Sequence, residues 1–235
     1  MSRIIVTLDE IAKEARKMGV DIESNLNPGA TEKQMSNSLA RLPLALPDEI
    51  LDLYRWHDGV RERRISDARI FPRFLFPSLE DCIDTTKELC SVAGDPEIRW
   101  RASWFYLCED LAGDYYALET NPKVASGHIW FVSFGADPFV AFWSFETMLL
   151  SILECYKSGA YFLDADGFLD EQSELSNSIY RAHNCGLSPL RLISKEKLLK
   201  DMMQAKRKFE LEMRPDLIDK LRELAGMSGI NTDDW

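Results

Sequence analysis

Between Trp104 and Trp143 the chain consists of four short runs rich in aromatic and β-branched residues: Trp104–Cys108, Tyr115–Glu119, His128–Phe134 and Phe139–Trp143. Such side chains suit a pleated, half-buried surface, and the runs predict four strands. Turn formers separate them: Asp110 to Asp114 around Gly113, Asn121-Pro122, and Gly135-Ala136-Asp137-Pro138. Connections this short favour an antiparallel meander, because a parallel crossover needs about a dozen residues. One sheet of this size is not stable alone in water, so helices must cover at least one face. The expectation is a single α+β domain whose central, mainly antiparallel sheet of about four to six strands is wrapped by helices.

The flanking sequence supplies those helices. Thr7 and Glu10 have capping-box spacing, with Leu8, Ile11, Ala15 and Met18 as the apolar stripe and Gly19 as the stop. Thr31 with Gln34 repeats the capping box ahead of Met35, Leu39 and Leu42. Pro47 suits the first turn of a third helix, whose Ile50, Leu53, Tyr54 and His57 share a face before Gly59 at the C-terminal cap position. Ser78 and Asp81 open a fourth helix that carries Cys82 and Cys90, and Ser144 opens a fifth that ends at Gly159. A further helix runs through Leu175, Ile179, Tyr180 and Ala182. From Ser194 onward the pattern is helical and highly charged, which suggests a domain over residues 1–186 and a C-terminal helical extension over 187–235.

Charge is distributed unevenly. Residues 105–180 contain two basic and twelve acidic side chains, a net of −10, while the whole chain carries −11. A negative field of that kind repels nucleic acid and attracts basic partners. Five cysteines in no C-x-x-C pair suit buried thiols in a reducing compartment, and no apolar run reaches the roughly 18 residues of a membrane span. A soluble, cytoplasmic protein with no membrane or nucleic-acid partner is expected. The arginines at Arg61, Arg63, Arg64, Arg69 and Arg73 lie among aromatic residues, and the expected structure there is a loop and edge strand whose arginines pair with the acidic block.

The segments ATEKQMSNSLARLPLALPDEILDLYRWHDG, DLAGDYYALE and WSFETMLLSILECYKSGAYFLDADGFL together resemble the SUKH superfamily, the Smi/Knr-type cell-wall-assembly regulator family, over about residues 28–170. The family's glycine before its Leu-Pro is absent near Arg41-Leu42, and its Asn-Gly turn is Asp58-Gly59 here. The resemblance implies a binding domain, in many members an immunity protein that neutralises a basic, nuclease-type toxin domain of a bacterial polymorphic toxin system. Its fungal members suggest the alternative of a regulatory or scaffold module for cellular proteins.

Catalytic and metal motifs are fragmentary. His57, His128 and His183 form no HExxH or HxxE spacing, and there is no GxSxG and no glycine-rich phosphate loop. Cys108 with His128, or two acids from Glu109, Asp110 and Asp114, are combinations a hydrolase could use, the remote alternative. Asp164, Asp166 and Gly167 imitate part of an EF-hand loop, but its first and twelfth positions would be Phe162 and Ser173, so an acidic turn is expected there. No cofactor, metal or catalytic residue is assigned. The partner-contact residues expected are Glu109, Asp110, Asp114, Tyr115, Tyr116, Asp164, Asp166 and Asp170, where aromatic rings supply anchoring area and acids select a basic surface.

Overall fold

The structure is a computed structural model that describes residues 2–61, 69–70, 72–95, 98–110, 113–121, 123, 127–133 and 136–187. The chain divides between Pro189 and Leu190, and the charged C-terminal segment expected to be helical lies outside the described residues. So do Arg63 and Arg64.

Helix α1 (Arg3–Lys17) starts four residues before the expected cap. Ser2 accepts from the Ile4 amide, while Thr7 sits inside the helix and donates its hydroxyl to the Arg3 carbonyl. A threonine hydroxyl can be satisfied by a carbonyl one turn back, so the Thr7–Glu10 spacing did not mark the start. Ile4, Leu8, Ile11 and Ala15 form the buried stripe. After a short 3₁₀ turn (Ile22–Asn25) come β1 (Leu26–Pro28) and α2 (Glu32–Leu39), opened by the reciprocal capping box of Thr31 and Gln34. Helix α3 (Asp48–Trp56) follows Pro47 and leads directly into β2 (His57–Val60), which pairs antiparallel with β1. Gly59 is thus a strand residue rather than a helix cap. Its positive φ of 73° serves a close approach to Pro77 and Ser78, the residue that caps α4 (Leu79–Ser91).

The aromatic block forms the four-stranded meander: β3 (Trp104–Glu109), β4 (Tyr115–Glu119), β5 (Ile129–Val132) and β6 (Phe139–Phe142), all antiparallel in that order. One cross-sheet row is Phe105, Leu118, Ile129 and Phe142, all buried. The adjacent row, Tyr106, Ala117, Trp130 and Val140, points to the other face. A bulge between Tyr106 and Cys108 interrupts β3, and the Tyr106 amide donates to Thr86 Oγ1 of α4 at 2.9 Å. At the end of the same strand, Leu75 exchanges both backbone hydrogen bonds with Glu109. Helix α4 and Leu75 therefore cover much of the β3 edge, which would otherwise invite strand pairing.

Beyond the sheet, α5 (Phe145–Ser158) begins in a second capping box, Ser144 with Thr147, and ends at left-handed Gly159. It packs against α1 and α6 (Ser173–His183). Between α5 and α6 lies a hairpin, β7 (Tyr161–Leu163) and β8 (Leu169–Glu171), where an acidic turn was expected. Six helices with one four-stranded and two two-stranded antiparallel sheets among the described residues make the fold α+β. No helix among these residues is long and apolar enough to cross a membrane.

Candidate protein-binding surface

The eight expected contact residues divide between two places. Glu109, Asp110, Asp114, Tyr115 and Tyr116 lie at the turn joining β3 to β4 and the start of β4. Asp164, Asp166 and Asp170 belong to the β7–β8 hairpin. Each place is built mainly by local hydrogen bonds, which use some carboxylates and leave others facing water.

At the β3–β4 turn the Glu109 carboxylate accepts from the Tyr106 hydroxyl at 2.7 Å. Desolvation, with this hydrogen bond next, raises the Tyr106 phenol far above its ordinary range, so it stays the donor. Asp110 closes the turn: its amide donates to the Asp114 carbonyl, and its Oδ1 accepts from the Asp114 amide, each at 3.0 Å. Arg73 Nη2 lies 3.9 Å from Asp110 Oδ2, an ion pair of the kind expected between the arginine-rich stretch and the acidic block. The Asp110 side chain is only 4% exposed, so it acts chiefly as a turn brace. Asp114 and Tyr115 remain half-buried.

Consecutive strand residues point to opposite faces, and this separates the two tyrosines. Tyr115 stacks on Tyr106 (5.3 Å between centroids) and Trp100 (5.9 Å), and burial pushes its phenol up to about 12. Tyr116 lies on the core side against Phe74, Phe131 and Phe142 and is 6% exposed. It supports the sheet and offers no surface for a partner. On the Tyr115 side, Trp104 donates its indole N–H to buried Glu119 at 3.1 Å, and the exposed Arg101 guanidinium lies 4.3 Å from the Trp130 ring centroid.

In the hairpin, Asp164 shapes the loop. Its Oδ1 accepts from the amides of Asp166 (2.9 Å) and Phe168 (2.8 Å), and Gly167 has φ 83°. The geometry is that of a hairpin loop with a glycine bulge, and it accounts for the EF-hand-like spelling without a cation. Asp166 and Asp170 are exposed. Two residues that the sequence reading did not select stand beside them: Phe162 at 37% and Phe168 at 43% exposure. The available signal was the run of strand formers Tyr161, Phe162 and Leu163 just ahead of Asp166-Gly167, a hairpin-turn dipeptide.

The Cys108–His128 combination is not assembled. Cys108 pairs opposite Tyr116, whereas the His128 carbonyl accepts from Glu119, three residues further along β4 and roughly 10 Å away at strand rise. Burial, with Cys82 close by, pushes the Cys108 thiol well up, opposite to what a nucleophile requires. His128 instead stacks on Trp143, with ring centroids 4.9 Å apart. Among the described residues no group of three or more His, Cys, Asp or Glu converges as a metal site would require. A cavity of about 20 Å³ is lined only by apolar side chains, Leu53, Leu107, Cys108 and Met148 among them, and it is too small for a ligand of several atoms.

No curated protein matches the chain. A family model does, over residues 29–151, just over half the chain. The match runs from Gly29, where a Cβ would meet the Arg55 carbonyl oxygen at 1.9 Å, through the complete four-stranded sheet and into α5. The chain therefore belongs to the SMI1 / KNR4 family (SUKH-1), whose domains are generally non-enzymatic modules of protein–protein interaction.

Proposed function

We propose that this protein is a cytoplasmic immunity protein that binds a basic, nuclease-type toxin domain and neutralises it without any covalent step. The observation that carries the reading is a SUKH-1 domain over residues 29–151 together with twelve carboxylates against two lysines over residues 105–180, a stretch that begins in that domain and runs past its matched end. Complementary charge raises the association rate at low salt and rejects acidic partners, while aromatic residues such as Tyr115 supply contact area. Neutralisation then needs only occlusion of the toxin's own basic, substrate-binding face.

Affinity purification from the native host at low ionic strength, followed by a salt series, tests this. One basic partner with toxin character, released by salt and encoded beside this chain, is the expected result. Retention of several housekeeping proteins and no toxin overturns the proposal in favour of a regulatory scaffold.

A further inference from the structure

The β7–β8 hairpin lies beyond the family-matched residues 29–151. Its register places Phe162 opposite Asp170 and Leu163 opposite Leu169. Leu169 packs on the core, and Leu163 approaches Gly19 at the end of α1. The other face is the solvent face. There Phe162 and, by strand parity, Phe168 lie diagonally across the hairpin, flanked by Asp164 and Asp170, with Asp166 at the loop tip. Five large apolar side chains are exposed among the described residues, and two of them are these phenylalanines. From Ser158 to Tyr180 the chain has five acidic residues and no lysine or arginine, so the two rings have no cation of their own segment to cover them.

We infer that the outer face of this hairpin is a docking surface for arginine side chains of a basic protein partner. This assignment rests on the protein-binding reading above and names the surface that decides specificity. A guanidinium can stack flat on a phenylalanine ring while its edge donates to a neighbouring carboxylate; an ammonium is a more strongly hydrated point charge and gains less from the ring. Phe162 and Phe168 supply the faces, and Asp166 and Asp170 the acceptors. The hairpin loop is braced by the two amides that Asp164 holds, so little ordering is needed on binding.

The test is a titration of the full-length ¹⁵N-labelled chain with deca-arginine and, separately, deca-lysine at low salt. Amide shifts should centre on residues 161–170, with deca-arginine bound several-fold more tightly than deca-lysine. The double variant F162S/F168S should lose about tenfold in deca-arginine affinity and almost nothing in deca-lysine affinity. Asp166→Lys should weaken both. Both rings are more than half covered, so the double variant should lower the thermal midpoint modestly, and a retained single cooperative transition checks that the fold is intact. Equal affinities for the two peptides, shifts centred on residues 109–115, or an unaffected double variant would overturn the inference. So would concentration-dependent dimerisation that the double variant abolishes, because the occupant would then be a second copy of the chain. The immunity reading fails separately: if no toxin is captured while the hairpin still prefers deca-arginine, the surface stands and that reading falls. If F162S/F168S neutralises a captured toxin as well as the native chain does, the reverse holds.

Discussion

Asp58 Oδ1 accepts a 2.8 Å hydrogen bond from the backbone amide of Leu79, joining strand β2 to the first turn of α4. Beside it, a Cβ on Gly59 would meet the Ser78 amide nitrogen at 2.3 Å, in a backbone conformation with φ 73°. Gly59→Ala should therefore cost about 3 kcal/mol from left-handed strain and backbone crowding, measured by urea denaturation. An unaltered midpoint would show that the Asp-Gly pair is only a surface turn.

Asp58 also yields a pH prediction. Desolvation, with Asp81 and Glu80 nearby, raises its carboxyl above the ordinary range despite the Leu79 amide. A raised folded-state value means that its contribution to stability is present while the group is protonated and declines as pH rises through that value. Asp58→Asn keeps the acceptor and removes the charge. The stability of D58N relative to the native chain should thus improve from acid to neutral pH, whereas Asp58→Ala should lose about 1 kcal/mol of capping. Denaturation curves for the three proteins between pH 3 and pH 7 decide it.

Asn184 is 1% exposed and fastens α6 to the end of the sheet. Its Oδ1 accepts from the Trp143 amide at 3.0 Å, and its Nδ2 donates to Ser151 Oγ at 3.3 Å and to the Tyr180 carbonyl at 2.9 Å. Asn184→Ala should cost roughly 1–3 kcal/mol, because these partners would remain buried without it. Hydrogen exchange should quicken in α6 before it does in β3–β6.

Trp104 and Glu119 form a buried pair at one end of the aromatic face. Trp104→Phe conserves most of the ring and removes the indole donor, leaving a buried carboxylate oxygen one hydrogen bond short. A loss of about 2 kcal/mol is expected. Glu119 also accepts from the Asn121 amide, so the readout is the cycle: a smaller cost of Trp104→Phe in the E119L background than in the native chain would attribute the loss to the unmet carboxylate rather than to packing.

All five cysteines are free thiols, and they differ in access. Cys185 is exposed and Cys90 partly so, while Cys82, Cys108 and Cys155 are buried. A thiol reagent should modify Cys185 quickly and Cys90 slowly in the native protein, and the remaining three only on unfolding. Fast native modification of Cys108 would contradict both its burial and its raised pKa.

Local chemistry determined a good part of this protein from sequence. The capping box at Thr31, the N-cap at Ser144, the stop at Gly159 and the four strands of the aromatic block depend on contacts within a few residues, which is why composition and spacing disclosed them. The resemblance carried by the Asp58-Gly59 and Leu-Pro segments likewise matches the family found. Thr7 shows the limit of such patterns, since its hydroxyl could be satisfied equally well inside a helix. Only tertiary structure decided which side of the sheet each tyrosine takes, because the bulge in β3 and the cover from α4 and Phe74 lie far away in sequence. Local hydrogen bonds, to amides two to four residues on, made Asp110 and Asp164 turn braces and left Asp166 and Asp170 in water. A count of charges cannot make that distinction, because it depends on where each carboxylate finds its amide. Phe162 and Phe168 face outward because Leu163 and Leu169 occupy the inward side of the same hairpin, a choice that the tertiary packing makes.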